Sequence, residues 1–289
     1  DSFWTSATEA EVYSLANLFL VLILWAAFKF REGPHHSRFR YILLISFLLG
    51  CATGVHFLCL LVIPAAALII GYKEHRWKRN ILVVLFGLLL TIGIERFIVP
   101  GPFLLAEWLE VFMVNNLGWP YLSGVLVVFV LLLIVLLVIS LYLNNRVKTK
   151  SASGSILHLI VLSLFFLLLG SSTHIVTALR AQANVPLNEG APDDCYSMQA
   201  YLARDQFGQG PVLYGPQYTA PIVEKDGNLL FKDGEPEYGG YGQEGYLVVS
   251  ENQRSQPVYD SSHNSFFPRL HSKQPQHIRA YKRWAAIPD

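Results

Sequence analysis

Glu9 and Glu11 sit at the mouth of a long apolar run, in the stretch FWTSATEAEVYSL. Ionised groups beside hydrocarbon are costly unless they are paired or hydrated, so each needs an account. Ser6–Glu9 reads SATE and fits a capping box, with Ser6 as N-cap and Glu9 reaching back to its amide. Acids also suit a helix N-terminus electrostatically. Glu11, two residues further on, points to a different side and lies closer to the apolar run. A carboxylate there needs a hydroxyl, a cation or a polar cavity, and Glu11 is a candidate for lining a site. His56 follows Gly50 and Gly54 in GCATGVH, where glycines let backbones approach closely. It is either a solvated interfacial histidine or a second member of that site. Arg96 and Arg180 each end an apolar run. Such an arginine snorkels to headgroups or forks onto a phosphate, and Glu95 beside Arg96 favours the first for that residue.

The elements that must position these groups are membrane spans. The chain has 289 residues, of which 53% are hydrophobic and only 15% charged. Mean hydropathy is +0.38, which is membrane-protein territory. The net charge of +1 excludes a polyelectrolyte argument for nucleic acid. Apolar runs at Val12–Phe28, Ile81–Val99, Leu122–Leu143 and Ile156–Thr177 are long enough to cross a bilayer as helices. A fifth run, Tyr41–Tyr72, is too long for one span and short for two. Broken at Gly50–His56, it reads as a helical hairpin. Lys29, Arg31, Arg38 and Arg40 form one basic cluster, Lys73, Arg76, Lys78 and Arg79 a second, and Arg146, Lys148 and Lys150 a third. The opposite short loops hold only Arg96, so the three clusters are expected on the cytoplasmic side of six crossings. Glu9, Glu11, the Gly50–His56 turn and everything after Ala178 then face outward. Glu11, His56 and Arg180 are expected to converge on one outward cavity.

Pro100–Gly124 is neither a span nor an ordinary loop. Its apolar residues are interrupted by Glu107, Glu110, Asn115 and Asn116, with Trp108, Trp119 and Tyr121 suited to headgroup depth. It reads as an interfacial helix near residues 102–117. Glu107 and Glu110, three apart, share a face. With Asn115 they are candidates for acceptor or interface contacts.

Composition changes near residue 181, where Pro, Gly, Asn, Asp and Tyr begin to dominate. Short strand-like runs such as PVLYG and YLVVS, and turns such as KDGN and KDGE, predict a small α+β domain over 181–289, outside the membrane. Tyr214, Tyr218, Tyr238, Tyr241 and Tyr246 can stack on sugars or simply pack strands. Cys51 and Cys59 read as buried hydrophobes and Cys195 as a spare thiol; no zinc or disulfide spacing is present. His271 and His277, six apart, are poorly spaced for one helical face, and no nucleophile elbow, P-loop or Rossmann glycine pattern occurs.

Five stretches in order, FWTSATEAEVYSL, GCATGVHFLCLLVIPA, VNNLGWPYLSG, NEGAPDDCYSMQAYLARDQFGQGPVLYGPQYTAP and FFPRL…HIRAYKRW, resemble bacterial glycosyltransferase family 117, relatives of protein O-mannosyltransferases. The resemblance implies a GT-C fold in a bacterial inner membrane, with the active site and the C-terminal domain on the periplasmic side. It implies a polyprenyl-phosphate sugar, plausibly mannose, as donor and Ser/Thr hydroxyls of exported proteins as acceptor. No cofactor is fixed by it, and a divalent metal is left open. It also implies an Asp general base in an upstream loop, so that this stretch is read as an internal fragment. Glu11 and Glu9 match the acidic pair that faces donor and acceptor in such enzymes. Carboxylates there stabilise an oxocarbenium-like state, and His56, Arg180 and Arg96 are candidates for the leaving phosphate. Two other readings stand beside this one. A transporter would need polar residues along the spans, and Val12–Phe28, Ile81–Ile94 and Leu122–Leu143 offer almost none. A membrane-anchored binding or assembly module would leave the work to the outer domain.

Overall fold

The computed structural model describes residues 12–34, 37–147, 152–183, 185–186, 188, 190–204, 210–211, 213–225, 228–232, 237–240, 245–250 and 256–287. It is mostly helical. The chain divides into two compact units, residues 1–203 and 204–289.

In the first unit, the long apolar runs become helices. They are α1 (Val12–Glu32), α2 (Phe39–Thr53), a 3₁₀ segment (Phe57–Leu61), α3 (Val62–Gly71) and α4 (Trp77–Gly93). A π turn (Ile94–Ile98) then leads into α5 (Gly101–Leu117), followed by α6 (Ser123–Val147), α7 (Ala152–Ser171), α8 (Thr173–Gln182) and α9 (Cys195–Ala203). Four stretches are long and apolar enough to cross a membrane: Val12–Glu32, Trp77–Leu117, Ser123–Asn145 and Ile156–Gln182. Phe39–Thr53 and Phe57–Gly71 are shorter apolar helices. They are the two arms expected over Tyr41–Tyr72, but they do not close on one another as a simple hairpin. Both pack on α1, while α2 packs chiefly on α7 and α3 on α4.

Small residues decide where these helices cross, because apolar packing between spans depends on close backbone approach. Gly50 of α2 and Gly170 of α7 lie back to back. A Cβ on Gly50 would run into the Leu167 carbonyl, and one on Gly170 into that of Phe47. Gly87 of α4 crosses Pro64 of α3 in the same way, its Cβ position being 2.7 Å from the Pro64 Cα. Thr91, one turn on, donates to the Gly87 carbonyl at 2.9 Å. On α1, the buried Ala16, Ile23, Ala26 and Ala27 form the stripe that meets α2 and α3.

Two of the three basic clusters meet at one end. Arg31 donates to the Ile69 carbonyl at 3.3 Å and lies 5.4 Å from the Tyr72 ring centre. Arg79 donates to the Gly71 carbonyl at 3.2 Å. Both thereby serve the last carbonyls of α3, where a cation is favoured. The first two basic clusters therefore share an end of the bundle, as one membrane face requires. Of the third, Lys148 and Lys150 lie outside the described residues.

The segment after residue 181, expected to open the outer domain, includes α9, which packs instead on α5 within the first unit. The second unit is built of short antiparallel pairs. Its strands are β1 (Tyr214–Pro216), β2 (Glu224–Lys225), β3 (Asn228–Leu229), β4 (Phe231–Lys232), β5 (Glu237–Gly240), β6 (Tyr246–Ser250), β7 (Gln256–Pro257) and β8 (Asn264–Phe266), with α10 (Pro275–Trp284) last. They pair as β1–β8, β2–β3, β4–β7 and β5–β6. Lys273 ties the unit together: its Nζ donates to the carbonyls of Gln217, Tyr218 and Ala220 at 3.0, 2.8 and 2.6 Å, and lies 4.9 Å from the Tyr259 ring centre. All three ammonium protons are thus used.

Candidate functional site

Opposite the basic end, the start of α1, the end of α2 and the start of α8 meet. His56 caps the 3₁₀ segment, its Nδ1 accepting from the Leu58 amide at 3.1 Å, so the other ring nitrogen is turned outward from the cap. Tyr13 of α1 lies against it, with ring centres 5.6 Å apart. The Cys59 thiol reaches the Ala16 carbonyl at 3.8 Å, fixing the same turn to α1. Phe57 stacks on His174 of α8 at 6.1 Å. His174 is buried, and its Nε2 lies 3.2 Å from Thr53 Oγ1. Thr53 gives its only hydroxyl proton to the Gly50 carbonyl at 2.6 Å, so toward His174 it accepts and the imidazole Nε2–H donates. That bond fixes the tautomer and ties α8 to the residue preceding the Gly54–His56 turn. Gly54 stands against Thr173: a Cβ there would strike the threonine hydroxyl.

His174, Thr53 and Phe57 were not singled out from sequence. The only hint was the polar run SSTHIV inside an apolar helix, since Thr53 and His174 are 121 positions apart.

Of the residues expected to act, Glu9 and Glu11 lie outside the described residues. His56 is half-buried where the helices meet; Arg180 is exposed on α8, six positions beyond His174. Arg96 is exposed in the π turn, with Glu95 half-buried beside it. Among the described residues no hydrogen bond or ion pair joins His56 to Arg180, and Glu11, the third residue expected to converge with them on one cavity, lies outside the described residues. Asn115 is exposed and Glu107 half-buried on α5.

Glu110 requires a correction. Expected on an outward contact face, it is 0% exposed. Its Oε1 accepts from the Leu122 amide, and its Oε2 from those of Gly124 at 2.7 Å and Val125 at 3.2 Å. The carboxylate therefore caps the N-terminus of α6, meeting both the orphan amides and the positive end of the helix dipole. Gly124 makes this possible, because a Cβ there would collide with the Glu110 backbone. Leu122 turns with a left-handed φ of 72° just before the helix. The apolar face of α5 is outward instead: Leu105 and Trp108 are highly exposed, and Trp108 stacks on Phe112 at 5.9 Å.

Beside Glu110, α9 docks through Cys195 and Gln199, which both donate to the Phe103 carbonyl at 3.4 Å. Cys195 is fully buried rather than spare. Burial pushes its thiol well above the usual range, and the Glu110, Glu107 and Asp194 carboxylates push the same way against a lowering Gln199 hydrogen bond. Asp194 caps α9, accepting from the amides of Tyr196 at 2.7 Å and Ser197 at 3.1 Å. Burial still raises its carboxyl, those amides pulling the other way. No group of three or more His, Cys, Asp or Glu among the described residues is placed to hold a metal ion.

Residues 1–80 match the family described as protein O-mannosyl-transferase TMEM260 N-terminal domain. That stretch contains α1, α2, the His56 turn and α3. Residues 208–289, most of the second unit, match a family of unknown function, DUF8416. No curated protein and no solved structure matches the chain. Similarity to an O-mannosyltransferase domain over the first 80 residues thus accompanies a helical, span-rich architecture.

Proposed function

We propose that this chain is part of a multi-pass membrane glycosyltransferase of GT-C type. It moves a sugar, mannose in the simplest case, from a polyprenyl-phosphate donor to Ser/Thr hydroxyls of exported proteins. The observation that carries the proposal is the match of residues 1–80 to an O-mannosyl-transferase domain, over the same residues that bring Tyr13 and His56 together at the end of the bundle opposite the basic loops. In the bacterial setting implied by the family resemblance, that end faces the periplasm and the basic end the cytoplasm, with six crossings and the second unit outside.

Each group then has a task the chemistry sets. Glycosyl transfer builds positive charge at the anomeric carbon, which Glu11 stabilises; Glu9 serves mainly to cap the helix. The leaving phosphate is met by His56 and by the guanidinium of Arg180, with Arg96 at the membrane edge. His174 is a positioning residue: through Thr53 and Phe57 it holds the turn that presents His56. Glu107 and Asn115 remain candidates for acceptor contacts, whereas Glu110 is committed to α6.

The test uses membranes containing the full reading frame, a radiolabelled polyprenyl-phosphate mannose and a Ser/Thr-rich peptide. Label should pass to the peptide, and His56→Ala should reduce turnover without loss of the protein from the membrane. Absence of transfer to any hydroxyl acceptor by folded protein would overturn the reading.

A further inference from the structure

Charge and aromatic exposure are segregated within the second unit. Residues 205–260 hold nine acids and three basic residues, whereas residues 261–288 hold Arg269, Lys273, Arg279, Lys282 and Arg283 and no acid. The same C-terminal stretch carries large apolar side chains that the unit does not bury. Phe266 is 77% exposed, Phe267 67% and Trp284 84%. Phe266 is paired with Tyr214 across β1–β8, with ring centres 5.0 Å apart, and the Phe267 amide donates to the Leu213 carbonyl at 2.7 Å. Leu213, Tyr214, Phe266 and Phe267 are thus neighbours on the β1–β8 ribbon, and all four side chains are exposed. Phe267 has φ 51°, a left-handed conformation unfavourable for a bulky aromatic residue. The helix α10 is tied to the same ribbon: Tyr281 meets Tyr218 edge-on with ring centres 5.5 Å apart, and the Tyr218 amide donates to the Leu270 carbonyl at 2.8 Å. It leaves Arg279 and Arg283 exposed, one turn apart.

We infer that the second unit docks on the lipid surface of the bilayer that holds the chain's own spans. Leu213, Tyr214, Phe266 and Phe267 enter the boundary between headgroups and acyl chains, and Arg269, Arg279 and Arg283 meet anionic headgroups. Aromatic and aliphatic tips flanked by arginine, without a carboxylate, are the composition such a boundary selects. Supply of the surface is not in question. Nine residues, Arg204–Val212, separate α9 from Leu213, a tether of at most about 30 Å when fully extended. Tethering of this kind makes a weak surface interaction effectively intramolecular. The inference does not depend on sugar transfer.

The experiment places a nitroxide at Phe267→Cys in the full chain, reconstituted in bilayers that contain anionic lipid, with the parent protein treated in parallel as the background. A second label at Lys225→Cys, exposed on β2, is the aqueous reference. Collision rates are read with oxygen, which partitions into lipid, and with a water-soluble nickel chelate. A lipid-docked residue 267 gives an oxygen-to-nickel ratio several-fold above that at 225, and the ratio falls when the anionic lipid is replaced by a zwitterionic one. A ratio like that at 225 means the patch stands in water. Low rates with both reagents mean it is covered by protein. Either of the last two outcomes overturns the inference.

Discussion

Replacing Glu110 by Gln keeps the shape of the side chain and removes its charge. The structure gives that carboxylate three backbone amides, those of Leu122, Gly124 and Val125, at the first turn of α6, and no exposure to water. Glutamine offers one carbonyl oxygen, and its NH₂ group must then face an amide N–H. At least one charge-assisted bond is lost and one buried donor is left without an acceptor. Hydrogen bonds to charged groups are worth about 1.5–3 kcal/mol, and a stranded buried donor costs about 1–3 kcal/mol. Glu110→Gln should therefore destabilise the first unit by about 2–4 kcal/mol. Glu110→Ala, which strands every amide and opens a cavity, should cost about 3–5 kcal/mol or more. Unfolding in mixed micelles of rising dodecyl sulfate content, followed by circular dichroism, reads these differences. Glu107→Gln, half-buried one turn earlier on α5, is the control and should change little. If Glu110→Gln unfolds with the parent, within about 0.5 kcal/mol, the carboxylate is not the cap of α6, and its place among exposed contact residues returns.

Other expectations follow from the same kind of contact. Gly170→Leu should force α2 and α7 apart and cost at least about 1–3 kcal/mol, because the substituted position abuts the Phe47 carbonyl; the same micelle titration measures it. Asp194→Asn should stabilise or be neutral near pH 7, since Asn caps equally well and burial holds the Asp194 carboxyl above its usual pKa, so the folded state bears a desolvation cost once that group ionises. The advantage should shrink on acidification, as the aspartate takes up its proton and the desolvation cost disappears; an advantage that grows on acidification would contradict the sign. Cys195 should resist maleimide in the folded protein on both sides of the membrane, being buried with a raised thiol pKa, and become reactive only on unfolding.

Much of the helical layout was legible because a bilayer-length apolar run leaves few alternatives. Leu122 lies one residue before α6 begins, the apolar run from Ile156 falls within α7 and α8, and the break between Gly50 and His56 falls where α2 ends. The fate of Glu110 was not legible. Its spacing from Glu107 indicates one helical face but not what covers that face, and the amides it serves lie twelve to fifteen positions on, beyond a turn at Leu122 with a backbone conformation sequence does not announce. The bond between Thr53 and His174 was hidden for a related reason: two polar groups in separate helices acquire meaning only when Gly50 and Gly170 set the crossing. Cys195 looked spare because its segment is polar, yet α9 turns its thiol onto Phe103. Glu9 and Glu11, the residues on which most of the chemical argument from sequence rests, lie outside the described residues.

The most direct test of the proposed function compares the two acids in one transfer assay, with the full reading frame and a polyprenyl-phosphate mannose donor. Glu9→Gln should be tolerated, since glutamine also serves at that position of a capping box and loss of a cap costs only about 1 kcal/mol. Glu11→Gln should lower kcat by roughly a hundredfold or more at unchanged expression, the cost of removing about 3–4 kcal/mol of transition-state stabilisation. Equal small losses for the two, or a larger loss for Glu9→Gln, would contradict the assignment of Glu11 to the developing positive charge.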